Sequence, residues 1–336
     1  MERTLAAPVR MPRLRTSMRI EALGTYVPAG RITNDELSRH VETDDAWIVR
    51  RTGIRERRRA GADEYTSDLC VAAVEDMLTR NVTLERVDAI IVATISPDYG
   101  FPSVAARVQD RLGLRKVGAV DLTAACAGFA YALDYADALI TTGRARDVLV
   151  IAGETLTKII DYTDRATCIL FGDGAGAALV SGAGADHGGV LSRRVNCDGA
   201  SGKHLFLTGI RTEIDDIIEP ERVMRQNGRA VYEWAVTNVS GGIVELLRDA
   251  ELTPADVDWF VPHSANIRMI ESICARTGIP MERTLTSVEW HGNTSSASIP
   301  LALAPAIDDG RVKRGDRVLL YGFGGGLVEA GMLMRW

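Results

Sequence analysis

A cysteine that begins a helix, a histidine that ends a strand and an asparagine ahead of a run of small hydroxyl residues are the chemically conspicuous positions of this 336-residue chain. Cys126 lies in TAACAGFAYALDYADALITTG at 123–143, where the strand-like VGAVDLT gives way to small residues, the cysteine, and an apolar helical pattern ending at Gly143. Orphan N–H groups and the positive end of a helix dipole favour a thiolate at such a place. Ala124, Ala125, Ala127 and Gly128 leave room for a substrate to reach the sulfur. The ordinary alternative for a free cysteine is burial in a core; Cys70, Cys168, Cys197 and Cys274 lack the context of Cys126 and read as structural or incidental. His263, in WFVPHSANIRMIE at 259–271, follows a strand and opens a helix, a usual place for catalytic groups in α/β sheets. Alone it reads more readily as a satisfied structural histidine. Asn293, in HGNTSSASIPLAL at 291–303, reads alone as a helix cap. From its own segment Cys126 reads as a candidate nucleophile.

The elements that must position these residues follow from alternating apolar runs. Strands are expected at 89–94, 118–122, 148–152, 169–171, 259–261 and 318–321, and helices at 66–80, 103–112, 127–141, 230–250 and 267–277. This alternation predicts α/β layers with helices covering a buried sheet. The halves echo each other. VDAIIVAT at 87–94 and VDWFVPH at 257–263 each follow a helical segment, and CILFGDGAGAALV at 168–180 and RVLLYGFGGGLVEAGMLM at 317–334 each read as strand, glycine-rich turn and strand. A duplicated α/β unit with its join near 181–189 explains the echo, giving halves at 18–185 and 186–336. YGFGGGLVEAG lacks the GK[ST] of a phosphate loop, and FGDGAGA precedes a strand instead of a helix, so neither predicts a nucleotide site.

Composition bounds the function. Hydrophobic residues at 46% and charged residues at 25% supply the core of an ordinary globular enzyme. A net charge of −6 argues against a nucleic-acid binder. Five cysteines without a CxxC pair predict neither a disulfide framework nor a metal site and fit a cytoplasmic setting. No apolar run approaches the roughly 18–20 residues that span a bilayer. Residues 1–17 carry four arginines against one glutamate and read as a disordered extension, with Met18 opening the first strand-like segment.

From about Met18 to Trp336 the chain resembles the β-ketoacyl-acyl-carrier-protein synthase III family of the thiolase superfamily. The matching stretches are DDAWIVRRTGIRERR, the CAG segment, TDRATCILFGDGAGAALV, VPHSANIRMIES, HGNTSSASIP and GFGGGL. DYTDRATCILFGDGAGA and WFVPHSANIRMIESIC are especially similar to the second isoform of Bacillus-like bacteria. Elongating synthases place a second histidine where Asn293 stands, and thiolases need a second catalytic cysteine near the C-terminus, where none follows Cys274. Plant-type polyketide synthases share the triad, but the wider motif set favours type III.

The resemblance implies duplicated thiolase-like α/β units in an α-β-α-β-α sandwich. It implies a homodimer that condenses a short acyl-CoA with malonyl-acyl-carrier protein in two half-reactions, using acyl-CoA as substrate and no cofactor. A homologue serving a specialised polyketide or acyl-transfer pathway is the alternative. By the same resemblance Cys126 carries the acyl group, and its backbone N–H with that of Gly325 holds the oxyanion. His263 and Asn293 donate to the malonyl thioester oxygen, and Phe323 shields the sulfur. Trp47 and Arg165 sandwich the CoA adenine, Arg51 meets a CoA phosphate, and Gly228 and Asn266 meet the pantetheine arm. Arg268, with Arg276 two turns on, meets the carrier protein, although Glu233 and Ala275 stand where lysines can occur. Phe101 closes the partner's acyl pocket; simple core packing is its plainer alternative. The isoform likeness implies branched short starters over acetyl-CoA.

Overall fold

The computed structural model describes residues 16–184, 188–215 and 217–336. The expected extension therefore lies outside the described residues except for its last two positions, which begin the first strand, Thr16–Tyr26. Among the described residues no helix is long and apolar enough to cross a membrane.

Two sheets form the frame. The first runs Thr16–Tyr26, Gly174–Gly184, Asp147–Glu154, Val87–Ala93, Gly118–Leu122 in spatial order. Its first two pairings are antiparallel and its last two parallel. The second runs Gly189–Cys197, Val328–Arg335, Arg317–Gly324, Trp259–Pro262. It repeats the sequence of antiparallel, antiparallel and parallel pairings, and a single parallel bridge from Phe260 to Thr284 stands where a fifth strand would lie.

Side-chain alternation explains the layers. Along Asp147–Glu154 every residue is buried, as a central strand covered on both faces requires. Val148, Val150 and Ala152 face a core shared with Val261, Leu320 and Met332 of the second sheet and with Phe129, Leu133, Ile299 and Leu303 of the helices Gly128–Thr141 and Ser298–Asp308. Leu149 and Ile151 face the other way, toward the helices Thr66–Leu78 and Val104–Arg111. The helices Gly228–Asp249 and Ile267–Thr277 cover the outer face of the second sheet through Val239, Ile243, Ile270 and Ile273. The result is the five-layer α-β-α-β-α sandwich.

One expected strand is absent. Residues 169–171 follow the short helix Arg165–Cys168 as a turn, and Phe171 makes only a single bridge, to Asn293. Their apolarity comes from packing in a side cluster with Ile48 and Val288, not from membership of a sheet. The counterpart of Arg317–Gly324 in the first half is Asp147–Glu154, so the echo between 168–180 and 317–334 is offset from the structural one.

Candidate active site

Cys126, His263 and Asn293 come from three separate parts of the chain and are all buried, at 5%, 2% and 6% exposure. Cys126 sits in a 3-10 turn, Ala125–Ala127, which runs directly into the helix Gly128–Thr141. Ala125 enters it at φ 44°, a left-handed conformation costly for a residue with a Cβ. The helix can sit this close because Gly128 lies against Ala93, where a Cβ would come within 2.8 Å of the alanine methyl. The turn after Arg317–Gly324 closes over the cysteine. A Cβ on Gly324 would lie 2.9 Å from the Cys126 sulfur. Phe323 is buried and meets His263 edge-on, with ring centroids 5.2 Å apart.

The expected thiolate is not the resting form. Burial pushes the Cys126 thiol up to about 12, the nearby Ser295 hydroxyl pulls it down, and the Glu154 carboxylate adds to the rise. The helix start alone does not outweigh desolvation.

Ser295 links the three residues. It holds φ 51°. Its N–H donates to Asn293 Oδ1 at 2.8 Å, which turns the amide NH2 of Asn293 outward. Asn293 is thus no helix cap. Its N–H donates to Leu170 O at 2.8 Å, its carbonyl accepts from Gly172 N at 3.0 Å, and these bonds lock it against the 170–172 turn. The Ser295 carbonyl accepts from Ser298 Oγ at 2.8 Å, and Ser298 Oγ lies 2.8 Å from His263 Nδ1. Ser298 Oγ can direct its proton to the Ser295 carbonyl or to His263 Nδ1, and in the second arrangement the ring proton sits on Nε2. Burial holds His263 down to about 3, so the ring is neutral. With Ser298 donating to Nδ1, the neutral ring carries an Nε2–H donor beside the Asn293 amide.

Two groups beside the triad escaped the sequence reading. Glu154, at the end of a central strand, is fully buried and accepts from Ser96 Oγ at 2.6 Å, Ile95 N–H at 3.1 Å and Thr94 Oγ1 at 3.2 Å. Burial raises its carboxyl to about 7 against these donors. The signal was present as a lone acid closing the apolar run VLVIAG. Ser295 was hidden in a serine run that resembles a cap. Its hydroxyl is fully buried without a partner in hydrogen-bonding geometry, yet it lies near enough to hold both Cys126 and Glu154 down.

The other expected residues form an outer ring. Asp44 caps the helix Asp45–Thr52 through the Trp47 N–H, placing half-buried Trp47 between two guanidinium groups, Arg165 at 5.1 Å and Arg51 at 5.5 Å from its ring centroid. Gly53 lets this helix abut Ile267, where a Cβ would clash at 2.4 Å. Asn266 caps the next helix by accepting from Met269 N–H. Gly228 begins its helix beside open space, and Gly325 follows Gly324 in the turn over the sulfur. Arg268 donates to Arg50 O and pairs with Glu271 at 2.9 Å, while Arg276 is exposed. Phe101 is 89% exposed, so core packing within the chain does not explain it.

The duplicated sandwich, with a buried cysteine at its centre, is that of the thiolase-like condensing enzymes. Family models described as 3-oxoacyl-[acyl-carrier-protein (ACP)] synthase III and its C terminal match residues 120–199 and 247–336. The β-ketoacyl-[acyl-carrier-protein] synthase III 2 of Bacillus subtilis is 51% identical over 320 residues, covering 95% of this chain and 98% of that one. That of Halalkalibacterium halodurans is 50% identical over 321 residues, covering 95% and 96%. The synthase III structure from Thermus thermophilus superposes with a TM-score of 0.91 at 47% identity, covering 94% of this chain and 98% of that one. The chain belongs to the β-ketoacyl-[acyl-carrier-protein] synthase III family.

Proposed function

We propose that this chain condenses a short acyl-CoA with malonyl-acyl-carrier protein, releasing carbon dioxide and giving a 3-oxoacyl-carrier protein that primes fatty-acid synthesis. The observation that carries the reading is the meeting of a cysteine, a neutral histidine and an oriented asparagine around Ser295. In the first half-reaction Cys126 Sγ attacks the acyl-CoA carbonyl and CoA departs as the thioester forms. The N–H groups of Cys126 and Gly325 hold the oxyanion. In the second, the malonyl thioester oxygen rests on Asn293 Nδ2. As decarboxylation makes that oxygen an enolate, the neutral His263 donates to it from Nε2–H as the second donor, with no change in its protonation. The enolate carbon then attacks the acyl-Cys126 thioester.

Trp47, Arg51 and Arg165 form the nucleotide end of the CoA site, with Gly228 and Asn266 along the pantetheine arm. An adenine between Trp47 and Arg165 needs about 7 Å, two stacking separations of ~3.5 Å, so Arg165 swings outward from its 5.1 Å position. Arg268 and Arg276 face the carrier protein. The protein acts in the cytoplasm and needs no cofactor. It works as a homodimer joined at Gly118–Leu122, an edge strand paired on one side only in its sheet that carries exposed Val120, with Phe101 and Tyr135 also exposed. The halves divide near 185, between the strands that end at Gly184 and begin at Gly189.

Incubation with labelled acyl-CoA, then peptide mass spectrometry, tests the reading: label belongs on Cys126, and label on another cysteine overturns it. A panel of acyl-CoAs with malonyl-carrier protein then ranks starters, with isobutyryl- and isovaleryl-CoA expected above acetyl-CoA. A second reading draws on the priming β-ketosynthase of the R1128 polyketide pathway, 35% identical with a TM-score of 0.87 over 97% of this chain. On that reading the chain serves a specialised pathway, and activity with the malonyl-carrier protein of fatty-acid synthesis separates the two.

A further inference from the structure

We propose that Ser295 and Glu154 are positioning residues that carry the thiol proton away from Cys126: Ser295 Oγ takes it as its own hydroxyl proton passes to a Glu154 carboxylate oxygen. The inference rests on Cys126 being the nucleophile.

Three observations converge on this path. The Ser295 hydroxyl is fully buried and has no hydrogen-bond partner, although an unpaired buried hydroxyl is costly and normally finds one. It faces both the Cys126 thiol and the Glu154 carboxylate, and lowers the pKa of each. Glu154 is fully buried, and among the described residues no ion pair joins it to a cation. Its hydrogen-bonding neighbours are all neutral: Thr94, Ile95 N–H, Ser96 and Ser296. A residue serving only to tie these loops together would not need a charge.

The step balances. The S–H bond of Cys126 breaks and an O–H bond forms on Glu154, so the cluster carries one negative charge before and after. Direct ionisation would instead set a thiolate beside a carboxylate. When the thioester forms, the same path returns the proton to the departing CoA thiolate. His263 is the rival acceptor, but burial holds it down to about 3 while Glu154 stands near 7, making the carboxylate the far stronger base. The titratable groups facing Glu154 are Cys126 across the active site and Cys70 on the helix Thr66–Leu78, each raised by its charge. Asp98 and Asp121 act on Cys70 from the far side, with Arg111 opposing them.

The test follows iodoacetamide alkylation of Cys126, read by peptide mass spectrometry, between about pH 5 and about pH 10. It needs neither acyl-CoA nor carrier protein, so it stays informative if the acyl-transfer reading fails; that reading fails separately, by absence of an acyl adduct on wild-type Cys126. In the wild type the rate rises through an inflection near neutrality, as Glu154 ionises, and then levels. Glu154→Gln and Ser295→Ala lose this inflection and react at least ~10-fold more slowly at neutral pH, within the range of a lost proton acceptor. Ser295→Ala loses only a hydroxyl and leaves the Ser295 backbone bonds to Asn293 and Ser298 in place, so its melting temperature stays near wild type and keeps the test open if Glu154→Gln folds poorly. The sign is decisive. As a mere neighbouring charge Glu154 raises the thiol, so Glu154→Gln would then speed alkylation. Faster or equal alkylation in Glu154→Gln, an intact inflection in Ser295→Ala, or loss of the inflection in His263→Ala with the other two unaffected overturns the proposal.

Discussion

Asn293 Oδ1 accepts a 2.8 Å hydrogen bond from the Ser295 N–H, so the asparagine amide has its acceptor engaged and its donor available. Asn293→Ala removes that donor and adds no charge. Decarboxylation of malonyl-carrier protein should fall by about 10²-fold or more, the scale of losing one oxyanion donor, while labelled acyl-CoA still acylates Cys126. Asn293→Asp should be worse in the same step, because a carboxylate faces the developing enolate. Normal carbon dioxide release with failed acylation in Asn293→Ala would reverse the assigned roles.

Gly324 packs directly on Cys126. An alanine Cβ there would sit 2.8 Å from Cys126 Cβ, 2.9 Å from its Sγ and 3.0 Å from its N. Backbone cannot retreat as a flexible side chain can, so Gly324→Ala should destabilise the fold by about 1–3 kcal/mol and cut acylation by ~10²-fold through displacement of the sulfur. Gly241→Ala, a helical site with nothing within 4 Å, should leave both intact. Thermal melts and adduct formation read the pair.

These two sites show what the sequence made legible. The triad, the order of strands and helices and the duplication all stood in local patterns: small residues around Cys126, a strand end before His263, apolar alternation in VDAIIVAT. What was not legible depends on contacts between distant segments. Ile169 and Phe171 looked like a strand because they are apolar, but their burial comes from a neighbouring helix cluster. The state of Cys126 looked settled by its helix start, whereas depth of burial controls it. The contacts of Ser298 Oγ with the Ser295 carbonyl and His263 Nδ1 anchor the imidazole in a way that no spacing of residues encodes.

Glu154 should also leave a mark on stability. Its carboxyl is raised from 4.5 to about 7 by burial, so the folded protein binds a proton there that the unfolded chain releases. Its contribution is fully present below about pH 4.5 and is lost as pH rises through about 7. Glu154→Gln escapes that loss. Relative to wild type it should gain on the order of 3 kcal/mol between acidic and mildly alkaline pH, at 1.36 kcal/mol per pKa unit. His263 and His291, held down to about 3 and about 4, act in the opposite direction but are shared by both proteins and cancel. Urea unfolding near pH 5 and pH 8 gives the difference, and a gap independent of pH would mean that Glu154 is unshifted.

Trp47 and Arg165 should act on one substrate only. The carrier protein presents no adenine, so Trp47→Ala and Arg165→Ala should raise KM for acyl-CoA by roughly 10-fold, in line with loss of a stacking and cation–π contact. They should leave kcat and KM for malonyl-carrier protein near wild type. Steady-state kinetics with each substrate varied in turn checks this, and a parallel rise in both KM values would place Trp47 outside the nucleotide site.

Arg268 is proposed to meet an acidic carrier protein, yet its guanidinium already pairs with Glu271 at 2.9 Å, and both side chains are exposed. An exposed pair of this kind is worth only about 0.2–1 kcal/mol, so the carrier can displace Glu271 at small cost but must do so each time it docks. Glu271→Gln removes that competition along with one like charge. It should lower KM for malonyl-carrier protein by about two- to fivefold, the fold-change that matches such a pair. Arg268→Glu should raise the same KM and leave acylation by acyl-CoA unchanged. Added salt should weaken carrier use in the wild type more than in Arg268→Glu, since screening acts on the attraction that the variant has lost. The opposing directions of the two substitutions make the experiment specific: if Glu271→Gln and Arg268→Glu shift KM the same way, or neither responds to salt, the carrier docks on another face.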